Sequence, residues 1–282
     1  MLKIQKNNLV IACVGDDSFH KHWISGARKN FDLALIYYGN IENRYEKEAD
    51  FYFHMRENIL KLGAIAAAID RLGEKIKEYE SMFFPDDDIF MSAAAINRIF
   101  EIFHRYKLDL AQPALLGGVM HWRITQQDYR CILRYVSGVE MMCPVFSREA
   151  LFKVLHTFTM NKSGWGIDLL WSKMLRGQKI AIIDSVGVYH DPLRRPIENK
   201  SYYKKLDVLG IDPIEEMKEI ESKYDIHYCG ACDIIYGKLE KTRLMIFFSR
   251  WTLWIIKLAL KFYIYIHKKT RGIRLFRFSR TV

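Results

Sequence analysis

Disulfide-forming cysteine, long apolar stretches and, near the end of the chain, acidic residues are what this 282-residue sequence has little of. Its five cysteines, Cys13, Cys131, Cys143, Cys229 and Cys232, are too few and too scattered for a disulfide framework, which points to a cytosolic protein. Cys229-Gly-Ala-Cys232 has the spacing of half a zinc site, but no second Cys or His pair lies nearby to complete it. The apolar run from Leu9 to Val14 is too short for a signal-peptide core and reads as a first strand. No Gly-x-Gly-x-x-Gly follows a strand and opens a helix, so a nicotinamide-dependent reductase is poorly supported. Internal repeats and low-complexity segments are also lacking, and with 50% hydrophobic and 14% aromatic residues the chain is globular. Residues 241–282 contain no Asp or Glu but eleven Lys and Arg, leaving 32 basic and 33 acidic groups for residues 1–240. The formal charge of +10 is therefore a property of the tail, and the body is close to neutral.

The body alternates strand-like and helix-like segments. Residues 9–14 (LVIACV) run into Gly15-Asp16-Asp17-Ser18, as a buried strand that delivers a polar loop at its carboxyl end would. A second run, 32–38, ends at Gly39-Asn40, and a helix over 19–29 is expected between the two. From Ile59 to Tyr79 apolar residues recur every three to four positions, which predicts an amphipathic helix leading to a short strand at 81–84. Ser92 is placed to cap a helix reaching about Tyr106, residues 109–116 look extended, and Cys143–Phe146 suits a strand. Ser147 would cap a helix over 148–160, followed by a helix from about Ile167 to Arg176 and a strand pair, 179–183 and 186–190. Asp212-Pro213-Ile214-Glu215 has the cap, first-turn proline and reaching glutamate of a helix start, predicting a surface helix over 213–224. The alternation implies an α/β sheet with helices on its faces.

Three clusters carry chemistry. Asp86, Asp87 and Asp88 lie between Phe83-Phe84-Pro85 and Ile89-Phe90-Met91, so three carboxylates emerge where an apolar strand leaves the core. They repel one another unless a cation or hydrogen-bond donors neutralise them, and oxygen ligands at this spacing suit a hard divalent ion that keeps sites open for a diphosphate. The plainer reading is an acidic turn that caps the next helix or sits in water. Gly164-Trp165-Gly166-Ile167-Asp168 sets an aspartate in the first turn of a helix, where it can act as a general base toward a hydroxyl or simply favour the helix dipole. His190 ends an apolar strand, from which an imidazole can complete a metal shell, contact phosphate, or be structural.

These stretches, in this order, resemble glycosyltransferases of the GT-A type. The chain is similar to a broadly distributed family of uncharacterised glycosyltransferase-like domains, some of whose members carry the label "lysine ketoglutarate reductase-like". The resembling residues are Lys61 with the small-residue helix after it, MFFPDDDI, LDLAQPAL, VEMMCPVFSREAL, GWGIDLLW and IIDSVGVYHDP, spanning about residues 9–195. MFFPDDDI and PVFSR also resemble the metal-binding strand end and acceptor-side strand of β-1,3-galactosyltransferase and Fringe-like enzymes. Many family members have Asp-Glu-Asp where this chain has three aspartates, a change that keeps both outer carboxylates.

The resemblance implies a GT-A-like (Rossmann-like) mixed α/β sheet flanked by helices, a nucleotide-sugar donor and a divalent cation, Mn²⁺ or Mg²⁺. Carried over by position, Asp86 faces the donor ribose or the metal, Asp88 is the principal metal ligand, and His190 completes the shell. Asp168 would be the base that deprotonates the acceptor, implying inversion at the anomeric carbon. Gly15, Asp16 and Asp17 would cradle the nucleotide, Lys61 would pair with donor phosphate, Asp87 would join the donor site, and Trp165 and Gly166 would lie toward the acceptor.

In the tail, Arg243, Arg250, Lys257, Lys261 and Lys268 fall within a stripe of about 40° on an α-helix that is otherwise almost wholly apolar. Lys257 and Lys261 would interrupt a transmembrane span at its middle. The pattern fits an in-plane amphipathic helix better, with Arg250, Lys257 and Lys261 toward anionic headgroups and Trp251 and Trp254 at the interface. Packing of this helix on protein is the plainer alternative, and its apolar width argues against nucleic acid.

The expected layout is a GT-A-like catalytic domain over 1–200, a helical connector over 201–240 and a basic, aromatic membrane-surface tail over 241–282. The expected activity is sugar transfer to a glycan or lipid-linked acceptor, as in polysaccharide biosynthesis, by a peripheral protein on the inner face of the plasma membrane. A non-catalytic nucleotide- or glycan-binding member of the fold and a metal-dependent nucleotidyltransferase are the competing readings.

Overall fold

A computed structural model describes residues 6–56, 59–118, 121–191, 201–226 and 234–270, apart from the side chains of Ser201, Arg250, Ile256 and 267–270. Cys229 and Cys232 lie outside the described residues, as does the side chain of Arg250. The chain divides into two compact units, Met1–Leu239 and Glu240–Val282.

The first unit is built on a mixed sheet. Its strands are β1 (Asn8–Val14), β2 (Asp32–Tyr37), β3 (Phe51–His54), β4 (Ser81–Phe83), β5 (Ile89–Phe90), β6 (Leu110–Gly118), β7 (Cys131–Val136), β8 (Val145–Ser147), β9 (Ile180–His190) and β10 (Ile235–Glu240). The spatial order is β10-β7-β9-β6-β8-β4-β1-β2-β3, with β5 added to β9. Strands β4, β1, β2 and β3 run parallel, β8 lies antiparallel between β4 and β6, and β6 is parallel to β9.

Both faces of this sheet are covered, which is why β1 reads as a continuous apolar run rather than an alternating one. Leu9 and Ile11 join a core with Leu62, Ile65 and Ile69 of helix α2 (Lys61–Leu72), with α4 (Arg148–Val154) and with α5 (Ile167–Met174). Val10, Ala12 and Val14 face the other way, onto Trp23 of α1 (His20–Trp23) and onto Ile96, Ile99, Phe100 and Phe103 of α3 (Ala93–Arg105). Ser92 and Ser147 cap α3 and α4 as the sequence predicts, their hydroxyls accepting from Ala95 N and Ala150 N at 3.2 and 3.1 Å.

Several expected boundaries move. The helix expected over 19–29 is a single turn, His20–Trp23, because Gly26 turns to φ +82° and the backbone beyond it bonds elsewhere: Asn97 Nδ2 donates to Arg28 O and Asn30 N to Asn97 Oδ1. Helix α2 stops at Leu72, where Gly73 adopts φ +55° and a tight 3₁₀ turn, Gly73–Glu78, carries the chain to β4. The helix expected over 148–160 likewise ends at Val154 and tightens into a 3₁₀ turn over Leu155–Thr159. The expected strand pair 179–183 and 186–190 is one strand, β9, whose pairing with β6 jumps from Pro113↔Ile183 to Ala114↔Gly187. Pro113 is tolerated in this interior strand because it sits at the bulge. Asp184, at the jump, is fully buried and takes paired bonds from Arg134 Nε and Nη2 at 2.8 and 2.9 Å.

The expected connector lies almost wholly inside the first unit. It forms α6 (Ser201–Leu209), α7 (Pro213–Tyr224) and β10. Asp212 caps α7, its Oδ1 accepting from Ile214 N at 2.8 Å. Helix α7 packs onto the loop before α5, so close that a Cβ on Gly166 would lie 3.3 Å from Ile220 Cβ and from Met217 Cα.

The second unit is dominated by one helix, Arg243–Thr270. Phe247, Phe248, Trp251, Trp254, Leu258 and Phe262 are exposed along it, as are Lys257 and Lys261. Among the described residues no helix is long and apolar enough to cross a membrane.

Candidate active site

The loops leaving β1 and β4 open at the carboxyl edge of the parallel strands, where open α/β sheets receive ligands. They line a cavity of about 810 Å³, together with the loop before α5, the end of β9 and residues of α6 and α7.

The loop after β4 is pinned by its backbone. Phe84 N donates to Pro144 O, Asp86 N to Met142 O and Ile89 N back to Asp86 O, at 2.9, 2.8 and 3.1 Å. The two residues of β5 that follow pair antiparallel with β9, Ile89 opposite His190, and Asp191 N donates to Asp88 O at 2.9 Å. This pairing brings the imidazole to the acidic loop: His190 Nε2 lies 3.4 Å from Asp88 Oδ1, both residues being buried. β6 must approach closely for β9 to reach this position, since a Cβ on Gly118 would fall 1.7 Å from His190 O.

Asp86, Asp88 and His190 each offer a ligand atom, all within 4.8 Å of one another. Among the described residues this is the group able to hold a metal ion. Two carboxylates and an imidazole suit Mn²⁺ or Mg²⁺, and three protein donors leave positions for phosphate oxygens. Burial holds the Asp86 carboxyl above the usual carboxylate range and Asp88 adds to the rise, while Lys61 opposes it.

The remaining predicted residues are distributed as follows. Lys61, at the start of α2, places Nζ 2.5 Å from Asp86 Oδ1 and donates to Met141 O and Met142 O at 2.7 and 3.2 Å. Lys61 thus stands at the acidic loop and lines the cavity. Asp87 turns to β1 instead of toward the Asp86, Asp88 and His190 cluster: its Oδ2 accepts from Gly15 N and from Tyr38 Oη at 2.8 and 2.9 Å. Gly15 is required there, because a Cβ would meet Tyr38 Oη at 2.5 Å. Asp16 accepts from Tyr37 Oη at 2.7 Å, and Asp16 and Asp17 both line the cavity.

Across the cavity, Gly166 enters α5 at φ +81° and Trp165 lines the wall. Asp168 is oriented by two backbone donors, Met141 N to Oδ2 at 3.2 Å and Leu169 N to Oδ1 at 3.0 Å. Burial pushes its carboxyl up to about 6, a value suited to a general base near neutral pH.

Three lining residues escaped the sequence analysis. Glu140 is almost fully buried yet borders the cavity. Lys205 of α6 stands 4.5 Å over the Tyr38 ring and donates to Ile59 O, with its ammonium pushed down by burial. Tyr202, also on α6, donates to Ser163 O at 3.1 Å. Glu140 was visible only as one acid among apolar neighbours, and Lys205 only as one charge in the mixed run SYYKKLD, so neither carried a periodic or spacing signal.

Solved structures align with the chain over most of its length. GalNAc-T7 with UDP, GalNAc and Mn²⁺ aligns at a TM-score of 0.50 and 11% identity, covering 79% of this chain and 55% of that one. TarS of S. aureus aligns at 0.47 and 8% identity over 78% of this chain and 43% of that one. The mannosyltransferase PcManGT from Pyrobaculum calidifontis, in complex with GDP-Man and Mn²⁺, aligns at 0.44 and 10% identity, over 78% and 70%. The chain thus spans less than half the length of the TarS chain and little more than half that of GalNAc-T7. The shared feature is the GT-A-like mixed sheet with helices on both faces. None of the curated proteins matches the sequence, and the reductase-like label finds no support in the family match or in these structures. The model of one family, described as "Protein of unknown function (DUF707)", matches residues 73–223, more than half of the chain, and the protein belongs to that family.

Proposed function

We propose that the protein transfers a sugar from a nucleotide-diphosphate sugar to a hydroxyl of a glycan or lipid-linked acceptor, with inversion, in the presence of Mn²⁺ or Mg²⁺. The observation that carries this reading is the convergence of Asp86, Asp88 and His190 at the strand ends, in one cavity with Asp168. Asp86, Asp88 and His190 would hold the ion, whose charge when bound offsets that of the diphosphate leaving group.

The chain's own residues supply the rest. Lys61 fixes Asp86 and the 141–142 carbonyls, so the acidic loop keeps its shape against its own repulsion. Gly15 and Asp87 hold the β1 loop against Tyr38, forming the wall expected to receive the nucleotide. Asp168, steadied by Met141 N and Leu169 N, would take the proton of the acceptor hydroxyl as that oxygen attacks the anomeric carbon. Trp165 and Gly166 would border the acceptor.

The test is incubation with Mn²⁺ and a panel of nucleotide-sugars, reading nucleoside diphosphate release and sugar transfer. Asp88→Asn should abolish transfer and Asp168→Asn should lower it about 10²–10⁴-fold, each leaving the fold intact, and full activity in either variant removes the site assignment. Release of pyrophosphate in place of a nucleoside diphosphate would identify nucleotidyl transfer.

The reading extends to location. The basic, aromatic helix of the second unit would hold the protein on the anionic inner face of the plasma membrane, a placement supported by its exposed Trp251, Trp254, Lys257 and Lys261.

A further inference from the structure

Glu140 is the acid that the site as described leaves without a task. It retains 3% of its exposure and still borders the cavity. One carboxylate oxygen, Oε1, accepts from Trp122 N at 2.9 Å and from Thr125 Oγ1 at 3.1 Å, and the residue's own N–H donates to the buried Gln112 Oε1 at 2.7 Å. Among the described residues Oε2 has no hydrogen-bond partner.

Holding the 122–125 turn does not explain a carboxylate. A glutamine carbonyl would accept the same two donors without the cost of taking a charge out of water. A buried charge with no structural return marks a group kept for a ligand. Glu140 lines the same cavity as Asp168 and His190. One of these neighbours belongs to the leaving-group side of the proposed reaction and the other to the acceptor side. The ring being transferred has to lie between those two sides.

We infer that Glu140 is a specificity-determining residue that accepts hydrogen bonds, through Oε2, from hydroxyl groups of the transferred sugar. This rests on the glycosyl-transfer reading and adds to it a named contact to the sugar, distinct from those to the nucleotide, the ion and the acceptor. An Oε2 that no protein donor reaches can accept from ring hydroxyls, so it selects rings that present one to it and disfavours those lacking it, whose binding would leave that oxygen without a partner.

The test uses Glu140→Gln in the full chain, whose carbonyl still serves Trp122 and Thr125 but whose amide replaces Oε2 with a donor. Wild type and variant are titrated calorimetrically, with Mn²⁺ present, against UDP, GDP, UDP-glucose, UDP-GalNAc and GDP-mannose. For the nucleotide-sugar that wild type binds best, the variant should bind about ten- to a hundredfold more weakly. The matching nucleoside diphosphate should bind both proteins within about twofold of each other, at equal thermal midpoints. Unchanged nucleotide-sugar affinity overturns the inference, and so does an equal loss for the nucleoside diphosphate, which would mark a structural role. Wild-type protein that binds none of the five would overturn the glycosyl-transfer reading itself, and the inference with it.

Discussion

Lys61 and Asp86, both lining the cavity, form a contact of 2.5 Å between the first turn of α2 and the loop after β4. The Lys61 side chain is 14% exposed and that of Asp86 32%, so the pair is partly shielded from solvent screening. Lys61→Met leaves Asp86 beside Asp88 without its cation. The expected loss is about 1–3 kcal/mol of unfolding free energy, the cost of stranding a partly buried charge. Urea denaturation with and without Mn²⁺ checks this, and the ion should restore part of the loss by replacing the missing positive charge.

Mn²⁺ should raise the thermal midpoint of wild-type protein in a concentration-dependent way, because a ligand that binds the folded state alone stabilises it by mass action. Asp88→Asn and His190→Ala each remove one donor from the group of three. Both should shift the Mn²⁺ response to higher concentration, by about tenfold or more, in calorimetric titration. An unchanged response in both variants would remove the metal assignment.

Asp168 links stability to pH with a definite sign. Its folded carboxyl is raised to about 6, so between about pH 4 and pH 6 the native state binds the proton that the unfolded state releases. Stability contributed by the protonated form is present at low pH and is lost as pH rises through that window. Wild type should therefore lose ground to Asp168→Asn over the same interval, by an amount on the order of 2 kcal/mol. Thermal midpoints of the two proteins across the pH range read this directly. Transfer activity should run the opposite way, rising through pH 6 as the base ionises, and should fall about 10²–10⁴-fold in Asp168→Asn.

Charge on the last helix should govern membrane association. Lys257 and Lys261 are exposed, and each basic residue near an anionic surface contributes about 1 kcal/mol. Lys257→Glu with Lys261→Glu should lower binding to phosphatidylserine vesicles by at least about thirtyfold, and raised salt should weaken wild-type binding. Unchanged co-sedimentation after removal of 241–282 would exclude the anchor.

Local sequence determined the elements whose causes are local. The apolar run of β1, the caps at Ser92, Ser147 and Asp212, and the three-to-four spacing of α2 and α3 need only neighbours within a turn or a strand to be read. The acidic strand end at 86–88 was visible because its apolar flanks and its charge contradict each other over a few residues. Elements shaped by distant partners were not visible. The strand β9 hides its polar break because Arg134 satisfies Asp184 from β7, and α1 is cut short by bonds to Asn97 on α3.

The same division runs through the site. Asp86, Asp88, Asp168 and His190 stood out as residues, but the pairing of Ile89 with His190 is what brings the imidazole to the aspartates. The partner of Lys61, the burial that raises Asp168, and the placing of Glu140 and Lys205 on the cavity wall arise only when strands and helices distant in sequence close around it. Sequence carries side-chain chemistry and short-range periodicity, whereas desolvation and convergence are set by what the folded chain excludes from water, and only the tertiary structure decides those.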